Sequence, residues 1–217
     1  MVDFTTRRMQ MVDAQVRPSD VTKFPIIDAM LEVPREVYVP ENLREAAYVG
    51  ENLPLDGNRV LLEPRTFAKM LDALDIQPDE VVLDLGCGLG YSTAVIARLA
   101  EFVVALEDDA ARADEAQGLL SEQGVDNAAV MTGPLAEGVA KSAPYDVIVL
   151  EGAAETIPPA LVEQLKEGGR ICCLFAEGAL GAARVGYKID GVLTWRHVFN
   201  AAAPVVAGFE RHITFAL

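Results

Sequence analysis

Apolar positions along this chain follow two regimes. Before about residue 75 they recur at helical spacing and are interrupted by prolines; from Val81 onward short apolar runs alternate with helical stretches. Phe4 to Val16 and Ile26 to Leu31 have helical periodicity, joined by a turn at Pro18, Ser19 and Asp20. Pro34 and Pro40 bracket a short extended piece, Asn52 to Pro64 reads as irregular, and Thr66 to Leu74 reads as a helix. Strands are then predicted at Val81 to Leu83, Phe102 to Leu106, Ala128 to Met131, Val147 to Leu150 and Ile171 to Phe175. Helices are predicted between them at Ser92 to Leu99, Ala110 to Glu122 and Pro159 to Leu165. This alternation predicts a doubly wound, mostly parallel α/β sheet with helices on both faces. Past Gly181, the pieces Ala183 to Ile189, Leu193 to Val198 and Glu210 to Ala216 are strand-like without helices between them, which predicts an antiparallel C-terminal edge. The chain thus divides into an N-terminal helical extension, residues 1–64, and a single compact core, residues 65–217.

Val81 to Tyr91 reads V-V-L-D-L-G-C-G-L-G-Y, a buried-strand run that meets an acid and then glycines on alternate positions. Asp84 stands at the strand's carboxyl end, where ligands bind in open α/β sheets. Gly86, Gly88 and Gly90 permit positive φ and bring a ligand against bare backbone. A dinucleotide fingerprint requires glycine at 91, and this chain has Tyr91. The G-x-G-x-G spacing therefore points away from nicotinamide and flavin, toward S-adenosylmethionine on a Rossmann-like sheet. Glu107 ends the second strand and is placed to accept hydrogen bonds from ribose hydroxyls. Asp84 reads as the organiser of the glycine turn and of the cofactor's amino end.

Composition narrows the partners. Thirty-three acidic residues against 18 basic ones give a net charge of −15, which argues against nucleic acid as the main partner. No apolar run approaches the ~18 residues that a membrane helix needs. The N-terminus lacks a secretory apolar stretch, and three cysteines make no disulfide framework, so a cytoplasmic location is expected. Cys172 and Cys173, adjacent in a predicted strand, should face opposite sides as small core residues. His197 and His212 read as structural, and no Cys/His spacing supports a metal.

Longer motifs carry a family resemblance. Val33 to Pro40, V-P-R-E-V-Y-V-P, resembles a V-P-R-E-x-F-V-P segment of the protein-L-isoaspartate O-methyltransferase family. Ala47-Tyr48 with Leu53-Pro54 resembles its A-Y…L-P stretch, and Ala143 to Ile148, A-P-Y-D-V-I, its fourth-strand motif. Ile157 to Arg170, I-P-P-A-L-V-E-Q-L-K-E-G-G-R, is similar to its I-P-x-x-L-x-x-Q-L-x-x-G-G-R segment. The likeness runs in order from about residue 10 to residue 175. It implies methyl transfer from S-adenosylmethionine, with S-adenosylhomocysteine as product, to the α-carboxylate of an L-isoaspartyl residue in a protein or peptide. The ester then collapses to a succinimide that reopens partly as normal aspartate, a repair. It also makes residues 1–64 the substrate side. Such a reaction needs no catalytic base, because a carboxylate is ionised at neutral pH and positioning alone is worth about 7–11 kcal/mol.

The chain departs from the family most in one segment. The family's L-P-I-G-x-G-Q-T-I-S-Q-P is replaced by L-P-L-D-G-N-R-V-L-L-E-P, Leu53 to Pro64, so Val60 and Leu62 stand where the family has threonine and serine hydroxyls. Gly50 stands where an aspartate is expected, and Gly133-Pro134-Leu135 replaces G-D-G, leaving Pro134 and Leu135 as the adenine neighbours. Arg59 takes the place of a glutamine, and Glu151 takes that of a small residue at the end of the fourth strand. Arg59, Leu61, Leu62 and Glu151 are the substrate-side candidates, with Arg59 and Glu151 expected to pair across the pocket mouth. None is assigned as a catalytic residue. Three readings stay open: isoaspartyl repair, methyl transfer to another substrate, and cofactor binding without catalysis.

Overall fold

The computed structural model describes residues 3–177 and 180–211. Its centre is a seven-stranded sheet that carries the site on one end. The strands are β3 (Val81–Leu85), β4 (Phe102–Glu107), β5 (Ala128–Thr132), β6 (Tyr145–Ala154), β7 (Leu165–Glu177), β8 (Leu180–Ile189) and β9 (Val192–Asn200), in the spatial order β5-β4-β3-β6-β7-β8-β9. The first five positions are parallel and the last two pairings antiparallel, as the sequence pattern predicts. The order reverses between β3 and β6, which makes the crevice beyond Leu85 and Leu150, partners in register, the topological switch point.

Two apolar layers sandwich the sheet. One joins α2 (Phe24–Glu32), α3 (Pro64–Leu74) and α4 (Tyr91–Ala97) to residues such as Val82, Val103, Val147 and Cys172. The other joins Leu161 of α6 (Pro159–Gln164) and Phe209 to Leu83, Leu85, Ile148 and Cys173. Cys172 and Cys173 therefore do face opposite sides, each fully buried. The sidedness follows from the pleat, which sends neighbouring side chains to opposite faces. The helix α5 (Ala110–Glu122) leads from β4 to β5 and is capped by Asp109, whose carboxylate accepts the Arg112 amide at 2.8 Å.

Several predicted elements differ in detail. The first helix is α-helical only over α1 (Phe4–Met11) and passes into a π-helix over Val12–Val16, ending with Asp20 in the left-handed region. The piece between Pro34 and Pro40 contains a 3₁₀ turn at Arg35–Val37 rather than an extended run. The stretch expected to be irregular holds a short hairpin, β1 (Leu53–Leu55) paired with β2 (Arg59–Leu61) as a separate two-stranded sheet. Its turn residues Gly57 and Asn58 have φ of 72° and 59°, the conformation that Asp-Gly and Asn side chains favour in tight hairpins. Of the strand expected at Glu210 to Ala216, Glu210 and Arg211 are not extended into a strand, and residues 212–216, with His212, lie outside the described residues. Among the described residues no helix is long and apolar enough to cross a membrane.

Candidate functional site

The turn after β3 is shaped by its glycines. Gly86, Gly88 and Gly90 have φ of 80°, 59° and 98°, and Gly90 is the N-cap of α4. Gly86 needs its bare Cα for a second reason. A Cβ there would overlap Nη2 of Arg59 and lie 3.0 Å from its Cζ. Leu135 also closes on this glycine, its Cδ1 3.5 Å from the same point, whereas Pro134 is exposed at the start of the turn after β5.

Asp84, fully buried in β3, accepts hydrogen bonds on Oδ2 from the Ser92 and Thr93 hydroxyls, both at 2.7 Å. Its Oδ1 has no hydrogen-bond partner among the described residues. Burial pushes this carboxyl up to about 6, and the two hydroxyls pull it back. Ser92 and Thr93 sit on the first turn of α4, two and three residues past Gly90. The sequence reading missed them, although a hydroxyl pair at that spacing after the glycines was visible.

Glu107, the last residue of β4 and also fully buried, binds the turn directly. Its Oε2 accepts the Gly88 amide at 2.9 Å, and its Oε1 accepts the Asp108 amide at 3.2 Å. Burial raises this carboxyl above its usual range, opposed by Arg59 and Arg112. Arg59 reaches it from the hairpin, with Nη1 to Oε1 at 3.3 Å, Nη2 to Oε2 at 3.5 Å, and Nη1 to Asp108 Oδ1 at 3.0 Å.

The expected pairing of Arg59 with Glu151 is therefore not found. Both are buried, at 5% and 4% exposure, rather than solvated loop charges. Glu151 lies at the end of the β6 segment in register with β3, and its Oε1 has no hydrogen-bond partner among the described residues. Burial first, then the charge of Asp84, drives the Glu151 carboxyl well above the usual range, against the weaker pull of Arg35 and Arg59. A carboxylate oxygen with no partner in a dry interior is costly, so burial favours the protonated form.

The remaining candidates divide. Leu61 lines a cavity of about 10 Å³ with Tyr38, Val60, Gly86, Ser92 and Glu151, the room for one water. Leu62 is packed in the core instead, and Val60 takes its place at the cavity. A larger cleft of about 310 Å³ opens between the hairpin and the start of α5, beside Asp109 and Arg112. Leu55 and Leu89 line both spaces, so the hairpin forms the wall between them. Arg35, quoted in a motif but given no role, proves to be a fully buried guanidinium behind this wall. It donates to the carbonyls of Ala47 at 2.7 Å and Leu62 at 2.8 Å and lies 4.7 Å from the Tyr91 ring centre. His197 is exposed and meets Asn200 Oδ1 at 2.9 Å, away from the site.

The end of the sheet offers an acid with a free oxygen beside a glycine turn, a second acid on the turn's amide, and a buried third carboxyl facing a small cavity. The whole chain has relatives among known proteins. The chain is 38% identical over 168 residues to a protein-L-isoaspartate O-methyltransferase of Syntrophus aciditrophicus, spanning 77% of each chain. It is 36% identical over 193 residues to one of Koribacter versatilis, spanning 89% of this chain and 87% of the relative. Among solved structures, a protein-L-isoaspartate O-methyltransferase superposes with a TM-score of 0.80 at 24% identity, covering 93% of this chain and 66% of the other. A Plasmodium falciparum protein described as a putative member, in complex with S-adenosyl-L-homocysteine, superposes with a TM-score of 0.77 at 16% identity, covering 94% and 98%. These two establish the fold. The sequence profile described as protein-L-isoaspartate(D-aspartate) O-methyltransferase matches residues 7–182, and with the relatives above it shows that the chain belongs to that family.

Proposed function

We propose that this protein transfers a methyl group from S-adenosylmethionine to the α-carboxylate of L-isoaspartyl residues in proteins or peptides, the first step of their repair. The observation that carries this reading is the pair of buried acids around the glycine turn. Asp84 keeps Oδ1 free for a cationic amino end, and Glu107 accepts the Gly88 amide at the end of the second strand of the core, β4, where an acid can take ribose hydroxyls. Leu135, over Gly86, is the proposed adenine contact, with Pro134 at its rim. The residues present fit the cofactor once Arg59 moves off Glu107. When bound, the cofactor supplies a methyl on sulfur that is already activated.

The chain's own work is then positioning. An ionised Asp84 orients the amino end, Gly86 and Gly88 allow close approach, and the hairpin wall excludes water from the crevice. The substrate carboxylate needs donors, and Val60 and Leu61 offer no side-chain donor at the cavity. Glu151, whose burial favours the protonated carboxyl, offers one O–H there, in place of the hydroxyls that the family carries in this segment. Residues 1–64 form the substrate-side cover over a core of residues 65–217. The three free, buried cysteines suit a reducing, cytoplasmic setting.

Transfer of labelled methyl to an isoaspartyl peptide, with the aspartyl peptide as control, tests the reading. Labelling of the isoaspartyl peptide alone is expected. Binding of S-adenosylhomocysteine without any labelling would move the activity to another substrate or remove it.

A further inference from the structure

The guanidinium of Arg59 lies where a nucleoside at this site would have to lie. It contacts both oxygens of Glu107 and presses on Gly86. The inner cavity holds about 10 Å³, whereas ligand pockets of this kind run to roughly 300–1,000 Å³. The nucleoside and Arg59 cannot share Glu107. Two features make Arg59 the group that yields. Its contacts to Glu107, at 3.3 and 3.5 Å, are longer than a tight charged fork. Among the described residues its carrier β2 pairs as a strand only with β1, in a two-stranded sheet apart from the main sheet.

A displaced guanidinium that stays in a dry site needs an anion. Asp108 holds it at 3.0 Å, and the cavity is lined by Val60 and Leu61, the next two residues of the same hairpin, and by Gly86, on which the guanidinium presses. Between Leu53 and Leu62 Arg59 is the sole cation, and the segment has no serine or threonine. A planar guanidinium is also the group best matched to a carboxylate. We infer that Arg59 is a positioning residue that exchanges Glu107 for the substrate's carboxylate when the nucleoside enters, so that the two ligands bind in order, nucleoside first. The inference rests on the function proposed above, since it takes Glu107 as the ribose acid.

Calorimetric titration of S-adenosylhomocysteine into the wild type, Arg59→Gln and Arg59→Ala, with isoaspartyl-peptide binding followed by fluorescence anisotropy, tests it. Both variants should bind S-adenosylhomocysteine about tenfold tighter than the wild type, because the competitor is gone. In the wild type, saturating S-adenosylhomocysteine should tighten peptide binding by about tenfold, within the usual range of coupling between sites, and neither variant should show this gain. Arg59→Lys should restore part of it. Hydrogen exchange on the unmodified chain gives a readout independent of any variant: the amides of residues 53–61 should exchange faster with S-adenosylhomocysteine bound. Equal or weaker nucleoside binding in both variants, with no coupling in the wild type, would overturn the exchange alone. No nucleoside binding by any of the proteins would overturn the proposed function with it.

Discussion

Arg59 and Gly86 are complementary: the arginine's guanidinium fills the volume that any side chain at 86 would need. Gly86→Ala therefore meets two penalties. A non-glycine residue at φ of 80° costs about 1–2 kcal/mol, and overlap with a packed group costs roughly 1–3 kcal/mol more. In a double-mutant cycle with Arg59→Ala, the overlap should vanish while the backbone cost remains. Urea denaturation of the four proteins should show the double variant about 1–3 kcal/mol more stable than the sum of the single changes predicts. Additive costs would mean that the two residues do not touch in solution.

Asp84 must be ionised to hold a cationic amino end, and its carboxyl lies at about 6. S-adenosylhomocysteine affinity should accordingly rise as pH passes upward through about 6. The Ser92 and Thr93 hydroxyls stabilise the ionised form. Ser92→Ala combined with Thr93→Val should move the midpoint of that rise upward by roughly one unit, the size of one 1.4 kcal/mol interaction. A titration series by calorimetry from pH 5 to pH 8 reads the midpoint directly, and an unmoved midpoint would take Asp84 out of this role.

The parallel sheet and the glycine turn were legible because both are local. Apolar runs such as Val81 to Leu83 and Val147 to Leu150 have to be buried strands, and alternate glycines after an acid need no tertiary information. The hairpin was not legible in the same way. Its strands are three residues long, one of them contains Pro54, and the Asp56-Gly57-Asn58 turn was the only signal. That miss propagated to the charges. Arg59 and Glu151 were matched because both departed from the family pattern. The hairpin instead folds Arg59 onto Glu107, 48 residues along the chain. Likewise the strand predicted at Ile171 to Phe175 starts earlier, since β7 begins at Leu165, where the helix was expected to end, and Lys166 pairs with Asp146 on the neighbouring strand at 2.7 Å.

Glu151 gives a stability test with a definite sign. An unfolded glutamate titrates near 4.5, and in the folded chain burial holds the carboxyl well above that value. Between the two values the folded state keeps a proton that the unfolded state has lost. The folded state binds more protons, so stability falls as pH rises through that window. Glu151→Gln removes the titration while keeping the shape and a donor. The two proteins should have similar Tm values near pH 4.5, and the glutamine variant should become progressively more stable toward pH 8. Shifts from carboxyls remote from Glu151 are common to both and cancel in the difference. Parallel Tm curves over this range would show that Glu151 is ionised or solvated.

Arg35 ties together three parts of the chain that enclose the site. Its Nε holds the Ala47 carbonyl, its Nη2 holds the Leu62 carbonyl at the end of the hairpin, and its face rests near Tyr91 at the start of α4. A lysine reaches with one ammonium and cannot reproduce two donors at fixed angles together with a flat stacking face. Each bond from a charged donor is worth about 1.5–3 kcal/mol, so Arg35→Lys should lose about 2–3 kcal/mol and Arg35→Ala somewhat more. Urea denaturation monitored by circular dichroism measures both. Because Leu62 follows β2 directly, the lysine variant should also loosen the hairpin, with faster hydrogen exchange at residues 53–61 and little change at β3. A variant that lost stability with unchanged exchange in the hairpin would confine Arg35 to the core, and the hairpin would then owe its placement to Arg59 and the packing of Leu53 and Leu61.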